Sequence, residues 1–287
     1  MAHRGPDAEG AWSSPPDARG RGLLLGHRRL AILDLSPTGA QPMVDPVSGD
    51  VIVFNGEIYN FVALRAQLSS AGHRFSSTGD TEVLLRLLAT SGPDAVRSLR
   101  GMFAFAFWDA ARRTLLLARD PLGMKPLFLA RSRDPSSGWD LVFASEIRAL
   151  LASGLLGAPR LDPAAVASVA WNGFVAGPGS ALEGVESLWP GQLRVLDATG
   201  ALERQEDFWS AAPRDQGRAW DTVGFIGRRG PGFHVIWGGG ARSPAGAARR
   251  GGARGEPGGT SVRSPAGWRF CRRGRRQRGP AGPPSES

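Results

Sequence analysis

Asn55 and Gly56 are the residues of this chain best placed to do chemistry. An apolar run, Val51–Phe54, leads straight into them, and a helix-like pattern follows. Asn-Gly is the dipeptide that best tolerates positive φ, so the run is expected to end there in a turn. An Asn side chain and an exposed Gly N–H at a strand end would put two hydrogen-bond donors at one point. Two such donors suit the negative oxygen of a tetrahedral intermediate. An ordinary turn is the plain alternative. Arg29 lies among apolar neighbours, where a charge needs a partner. Asp80 opens a helical pattern. Arg suits a carboxylate and Asp an ammonium group, so the two together suit a zwitterionic ligand. A solvated Arg and a capping Asp are the alternative.

Other chemistries find less support. His3, His27, His73 and His234 have no second ligand at a recognised metal spacing, and each reads as structural or exposed. Gly238-Gly239-Gly240 has neither the Lys and Ser nor the following helix of a phosphate loop. Cys271 is the single cysteine, so neither a disulfide framework nor a cysteine-based metal site is expected. No apolar run reaches the length of a membrane span, and the first residues lack a signal-peptide core. A soluble, cytoplasmic protein is expected.

The elements that must position Arg29, Asn55 and Asp80 are legible in outline. Residues 22–36 alternate apolar and polar and read as a strand. Phe61, Leu64 and Leu68 have helical spacing, with Gly72 as the stop. Asp80-Thr81-Glu82 sits where a helix N-cap belongs, and Gly92-Pro93 ends that helix. Residues 102–109 and 114–118 read as a hairpin. Residues 127–130 and 141–144 read as a strand pair, and residues 192–196 and 202–208 as a late hairpin. Residues 147–151 and 163–169 read as helices, the second opened by Asp162-Pro163. Hairpins dominate and helices come in pairs, which argues for an α+β fold with antiparallel sheets.

The charge is unevenly spread. Residues 215–287 carry 14 Arg and no Lys for a net of +10, whereas the whole chain is +9. Residues 1–214 are therefore near neutral. Gly, Pro and Arg fill more than half of the last 73 residues, and this tail is expected to be disordered.

Seven segments follow one another in order: His3-Arg4-Gly5-Pro6-Asp7, His27-Arg28-Arg29-Leu30-Ala31-Ile32, Phe54-Asn55-Gly56-Glu57-Ile58-Tyr59-Asn60, Thr78-Gly79-Asp80-Thr81-Glu82-Val83, Gly101-Met102-Phe103-Ala104-Phe105-Ala106, Arg119-Asp120-Pro121-Leu122-Gly123-Met124-Lys125-Pro126-Leu127 and Phe143-Ala144-Ser145-Glu146-Ile147. Together they resemble the glutaminase domain of glutamine-hydrolysing asparagine synthetases, from residue 3 to about 209. Other class II amidotransferases share the plan. The resemblance implies an N-terminal-nucleophile hydrolase fold, a four-layer sandwich with two antiparallel sheets between helical layers, here without its first strand. It implies a glutaminase domain over 1–210 and a separate tail over 211–287. Arg29 would grip the α-carboxylate of glutamine and Asp80 its α-ammonium. Asn55 and Gly56 would be the oxyanion donors, and Glu57 would help bind substrate. The family reaction releases ammonia from glutamine. A second domain, using ATP and Mg, activates an aspartate carboxylate as an acyl-adenylate that the ammonia attacks. The implied partner is glutamine, with no cofactor or metal in this chain, a homodimer as in the family, and neither membrane nor nucleic acid. Arg119–Lys125 reads as a structural turn near a channel or domain contact. Ser145-Glu146 reads as a helix cap and a paired carboxylate.

The chain departs from the family at two points. The family nucleophile is a cysteine at the mature N-terminus, whose α-amino group can act as base. Residue 2 here is Ala, and Cys271 lies in the Arg-rich tail. The nucleotide-binding Ser-Gly-Gly-x-Asp-Ser signature of the second domain is also not found. The expectation is a glutaminase fragment, inactive as written, with a frame shift near residues 211–220 and a displaced or truncated start. Resequencing the locus tests this. A glutamine-binding pseudo-enzyme is the second reading, since Arg29, Asn55, Gly56 and Asp80 are all present. A third is a nucleic-acid-binding protein that uses Arg272-Arg273-Gly274-Arg275-Arg276 on phosphates, without a docking fold to support it.

Overall fold

The computed structural model describes residues 2–210. The expected tail disorder, His234, Gly238–Gly240, Cys271, Arg272–Arg276 and the frame-shift region lie outside the described residues.

In chain order the elements are β1 Ala8–Ser13, β2 Leu24–Arg29, β3 Met43–Val44, β4 Val51–Ile58, α1 Phe61–Ser70, α2 Asp80–Ser91, β5 Gly101–Asp109 and β6 Thr114–Arg119. There follow β7 Phe128–Arg131, β8 Leu141–Ala144, α3 Ile147–Ala152, α4 Pro163–Asn172, β9 Val185–Ser187, β10 Gln192–Leu196 and β11 Leu202–Asp207. All strand pairings are antiparallel. The central sheet has the order β11-β10-β6-β5-β4-β3. A second strand layer packs on one of its faces. It consists of the β1–β2 ribbon and the sheet β8-β7-β9.

The period of two along each strand assigns the faces. On β5, Phe103, Phe105 and Phe107 point with Ile52, Phe54 and Ile58 of β4 toward α1 and α2. Ala104, Ala106 and Trp108 point the other way, with Val51, toward Leu25 of β2 and Leu129 of β7. Small Ala residues on that face let the strand layers approach, while the Phe face fills the space below the helices. Phe103 and Phe105 are fully buried, and such burial stabilises by about 1.5–3 kcal/mol per side chain. A third cluster joins Leu150 of α3 to Ala130 and Val185 on the outer face of the small sheet. The result is an α+β sandwich of four layers: α1 and α2, the central sheet, the second strand layer, and α3.

Three expectations need correction. The strand read over 22–36 stops at Arg29. Beyond it Leu30, Ile32 and Leu35 are exposed, and Asp34 and Ser36 turn the backbone through local hydrogen bonds. Their apolar spacing imitates a strand without a partner to pair with. The Asn-Gly turn does not form either: β4 runs through Asn55 and Gly56, which pair with Ala104 and Phe103. Tertiary pairing there overrides a local turn preference. Asp80 is not the N-cap of α2. Gly79 holds that position, and Asp80 is the first helical residue. The strands β1, β3 and β9 add to the expected set.

Candidate active site

The site is built along one edge of β4. Pairing with β3 covers only Val51 and Ile52, so the rest of that edge needs other partners. Even-numbered residues of β4 turn their peptide groups away from β5. The Phe54 N–H donates to Gln41 Oε1 at 2.7 Å. The Ile58 N–H donates to Asp80 Oδ2 at 2.9 Å. His27 Nε2 lies 3.2 Å from the Phe54 carbonyl, to which it donates. Gly56 sits between these two amides and faces the same way. Its cross-strand neighbour Phe103 exchanges hydrogen bonds with Asp120 instead, at 3.3 and 2.7 Å. Among the described residues no group fills the Gly56 N–H.

Gly56 is required by close approach. A Cβ there would collide with Met102 O and lie 2.7 Å from Phe103 Cα. The side chain of Asn55 is exposed and makes no hydrogen bond among the described residues. Asn55 and Glu57 continue the row of Val51 and Val53, on the face turned toward the second strand layer. A free amide side chain and a free N–H thus stand on adjacent residues.

Asp80 is held by the main chain of β4. It is 6% exposed, and the Ile58 N–H pins one oxygen, leaving Oδ1 for a further donor. Burial pushes the Asp80 carboxyl above its ordinary value. The Ile58 N–H opposes that shift, and the nearby charge of Glu57 adds to it. The preceding segment is tied down by Glu82, which accepts from Ser76 N, Ser77 N and Ser77 Oγ, the last two at 2.6 and 2.7 Å.

Arg29 closes β2. Its Nη1 donates to Ser36 O at 2.8 Å, and its Nη2 donates to Asp34 O. Two of the five guanidinium N–H donors are thereby spent on orientation, and three remain. The loop that receives them runs to Gly39, whose Cβ would strike Arg29 Nη2.

Two residues missed in the sequence complete the frame. Gln41 joins β4 to α2, since its Nε2 also donates to Thr81 Oγ1 at 3.4 Å. Asp34 joins the Arg29 loop to the N-terminus of α2 by accepting from Thr78 N at 3.0 Å. Asp-x-Ser in a loop signals an Asx turn, but nothing in the spacing points to Thr78. His27 serves the frame: burial, partly offset by its bond to the Phe54 carbonyl, holds its pKa below the usual value. Its Nδ1 is buried without a partner among the described residues.

In the Arg119–Lys125 turn, Arg119 and Asp120 are occupied by the protein itself. Arg119 donates to Lys125 O, Gly123 O, Leu188 O and Ser187 Oγ at 2.7–2.8 Å. Asp120, 1% exposed, accepts from the N–H groups of Phe103, Leu122, Met124 and Lys125. Glu146 accepts from Arg4 Nε at 2.6 Å, and its side chain does not cap α3. Among the described residues no cluster of His, Cys, Asp and Glu could hold a metal ion. No described helix is long and apolar enough to cross a membrane.

Comparison with known proteins shows the family of the chain. Asparagine synthetase [glutamine-hydrolyzing] 3 of Bacillus subtilis is 36% identical over 203 residues, covering 70% of this chain and 31% of that protein. Amidase chry2 of Gibberella zeae is 35% identical over 209 residues, covering 73% of this chain and 29% of the other. A putative glutamine-hydrolyzing asparagine synthetase of Mycobacterium bovis is 45% identical over 135 residues, covering 45% and 20%. The chain thus spans under a third of the length of these relatives. The family model described as "Glutamine amidotransferase domain" matches residues 1–209, and the chain belongs to that family.

Proposed function

We propose that this domain binds glutamine and presents its side-chain amide to the Gly56 N–H and the Asn55 side chain. The observation that carries the reading is the open pair of donors on β4, bracketed by the occupied amides of Phe54 and Ile58. Arg29 takes the α-carboxylate through its remaining N–H groups. Asp80 takes the α-ammonium through Oδ1, with Glu57 beside it. In the amidotransferase reaction a thiolate adds to the amide carbon, and the carbonyl electrons move to oxygen. Two N–H donors then stabilise the oxyanion, and removing one such donor costs about 10²–10³ in rate. Ammonia leaves as the tetrahedral intermediate collapses.

The described residues contain no cysteine; the chain's own is Cys271. We assign the described residues the recognition of glutamine. In a protein that also supplies the thiol and an ATP- and Mg-using synthetase domain, the ammonia would amidate a carboxylate such as that of aspartate. Calorimetry with the 287-residue chain and an ammonia-release assay test both halves. Saturable glutamine binding without ammonia release is expected. A folded chain that does not bind glutamine removes the reading, and ammonia release would show that a nucleophile is at work.

A further inference from the structure

Asp34 is the most heavily used acceptor near the site, and it lies between the two charged groups that would hold the ligand. Its Oδ1 accepts from Ser36 N and Ser36 Oγ at 2.8 and 2.6 Å. Its Oδ2 accepts from Thr38 Oγ1 and Thr78 N at 3.3 and 3.0 Å. Its main-chain carbonyl accepts from Arg29 Nη2. Three of the four carboxylate contacts close its own loop, for which a Ser36 turn alone would suffice. The fourth crosses to a segment 44 residues away, two positions before Asp80. Gly39 and Gly79 pack close on both sides, each with its Cβ position 3.4 Å from Asp34 Cβ. The residue is 7% exposed, and its bonds to Ser36 hold the carboxyl well below the usual range, against the opposing effect of burial. The latch stays charged wherever the protein is folded at moderate pH.

We propose that Asp34 is the positioning residue that sets the separation between the Arg29 guanidinium and the Asp80 carboxylate. It thereby restricts the pocket to ligands that carry a carboxylate and an ammonium group on one carbon. The inference rests on the glutamine reading above and adds to it a determinant that touches neither end of the ligand. A group that only stabilised the loop would affect every ligand alike. A group that sets a span affects the advantage of holding both ends at once.

The test uses the 287-residue chain and three ligands measured by NMR titration: glutamine, 4-carbamoylbutanoate, which lacks the ammonium group, and 4-aminobutanamide, which lacks the carboxylate. Asp34→Asn keeps the shape but offers an N–H toward donors that need an acceptor. It is expected to weaken glutamine roughly tenfold, the usual size of a coupling between two sites, and to weaken each one-headed analogue by less than about twofold. An equal loss for all three ligands, or no loss for glutamine, overturns the proposal. Should Asp34→Asn not fold, Ser36→Ala removes from an exposed position the hydroxyl that donates to Asp34 Oδ1 and must show the same unequal pattern at smaller size. A wild-type chain that binds glutamine no more tightly than either analogue overturns the two-headed pocket itself, and this proposal falls with it.

Discussion

Phe103 on β5 stands between two polar regions that differ in one respect. On one side it faces Gly56, whose N–H is open. On the other it bonds to Asp120, whose carboxylate is surrounded by four N–H groups. The Arg119–Lys125 turn carries Arg, Asp, Gly and Lys, and the β4 edge carries Asn, Gly and Glu. One follows a strand end and the other lies inside a strand, and both would read as functional from residue types alone. In the turn the buried pair, Arg119 and Asp120, is bonded throughout by the protein itself. At the β4 edge the neighbours of Gly56 are saturated and the central donors are not. A saturated network holds a fold; an open donor held rigidly among saturated ones holds something else.

The contrast predicts opposite consequences of substitution. Asp120→Ala leaves the buried Phe103 N–H and three partly buried N–H groups without an acceptor and should cost about 3–5 kcal/mol of stability, read as a lowered denaturation midpoint in urea. A loss below about 1 kcal/mol would remove the structural assignment of the turn. Gly56→Ala forces a methyl group against the Met102 carbonyl and should cost about 3 kcal/mol, since backbone rather than a flexible side chain must yield. Asp80→Asn should separate binding from stability. Glutamine affinity should fall roughly thirtyfold, about 2 kcal/mol, while the unfolding temperature holds or rises, because burial works against the charged form. A parallel fall in both would make Asp80 a structural residue like Asp120.

The pH dependence follows the same logic. Asp80 must be ionised to hold an ammonium group, and its pKa lies above the ordinary value of 3.8. Glutamine affinity should therefore decline, as the pH is lowered, before 3.8 is reached. The stability term has the opposite sign. The folded state binds this proton more tightly than the unfolded chain, so the Asp80 contribution shrinks as pH rises from 3.8 through the folded value. Titrating affinity and unfolding temperature together checks both signs. The smallest effect belongs to Asn55→Ala, which breaks no bond among the described residues and should leave stability within about 0.5 kcal/mol.

Much of this was visible in the sequence, and the failures share a cause. The alternation of Phe and Ala over 103–107 made β5 plain, because buried strands write their faces into the period. Leu30 and Ile32 wrote the same period without burial, and only the absence of a pairing strand distinguishes them. Asn55-Gly56 carried a strong local signal that eight residues of pairing with β5 overruled. Arg29 stood out as a charge beside apolar neighbours, and Asp80 as the residue that opens a helical pattern. Asp34 and Gln41 did not, because each works on a distant backbone amide, and backbone amides leave no trace in the identity of the residue that carries them. The strand β1 was missed for a related reason: Ala8–Ser13 holds no β-branched residue and only one large apolar side chain, Trp12.

The side chains of Gln41 and Asp80 along β4 also bear on solubility. An exposed strand edge is a template onto which another chain can add, the first step toward a fibril. Such growth needs a row of free amides at every second residue. Here the amides of Phe54 and Ile58 are taken by side chains, and the one between them stands alone. A single amide can hold a small ligand and cannot register a strand. The chain can keep a reactive edge open in a crowded cell without inviting its own copies to extend the sheet.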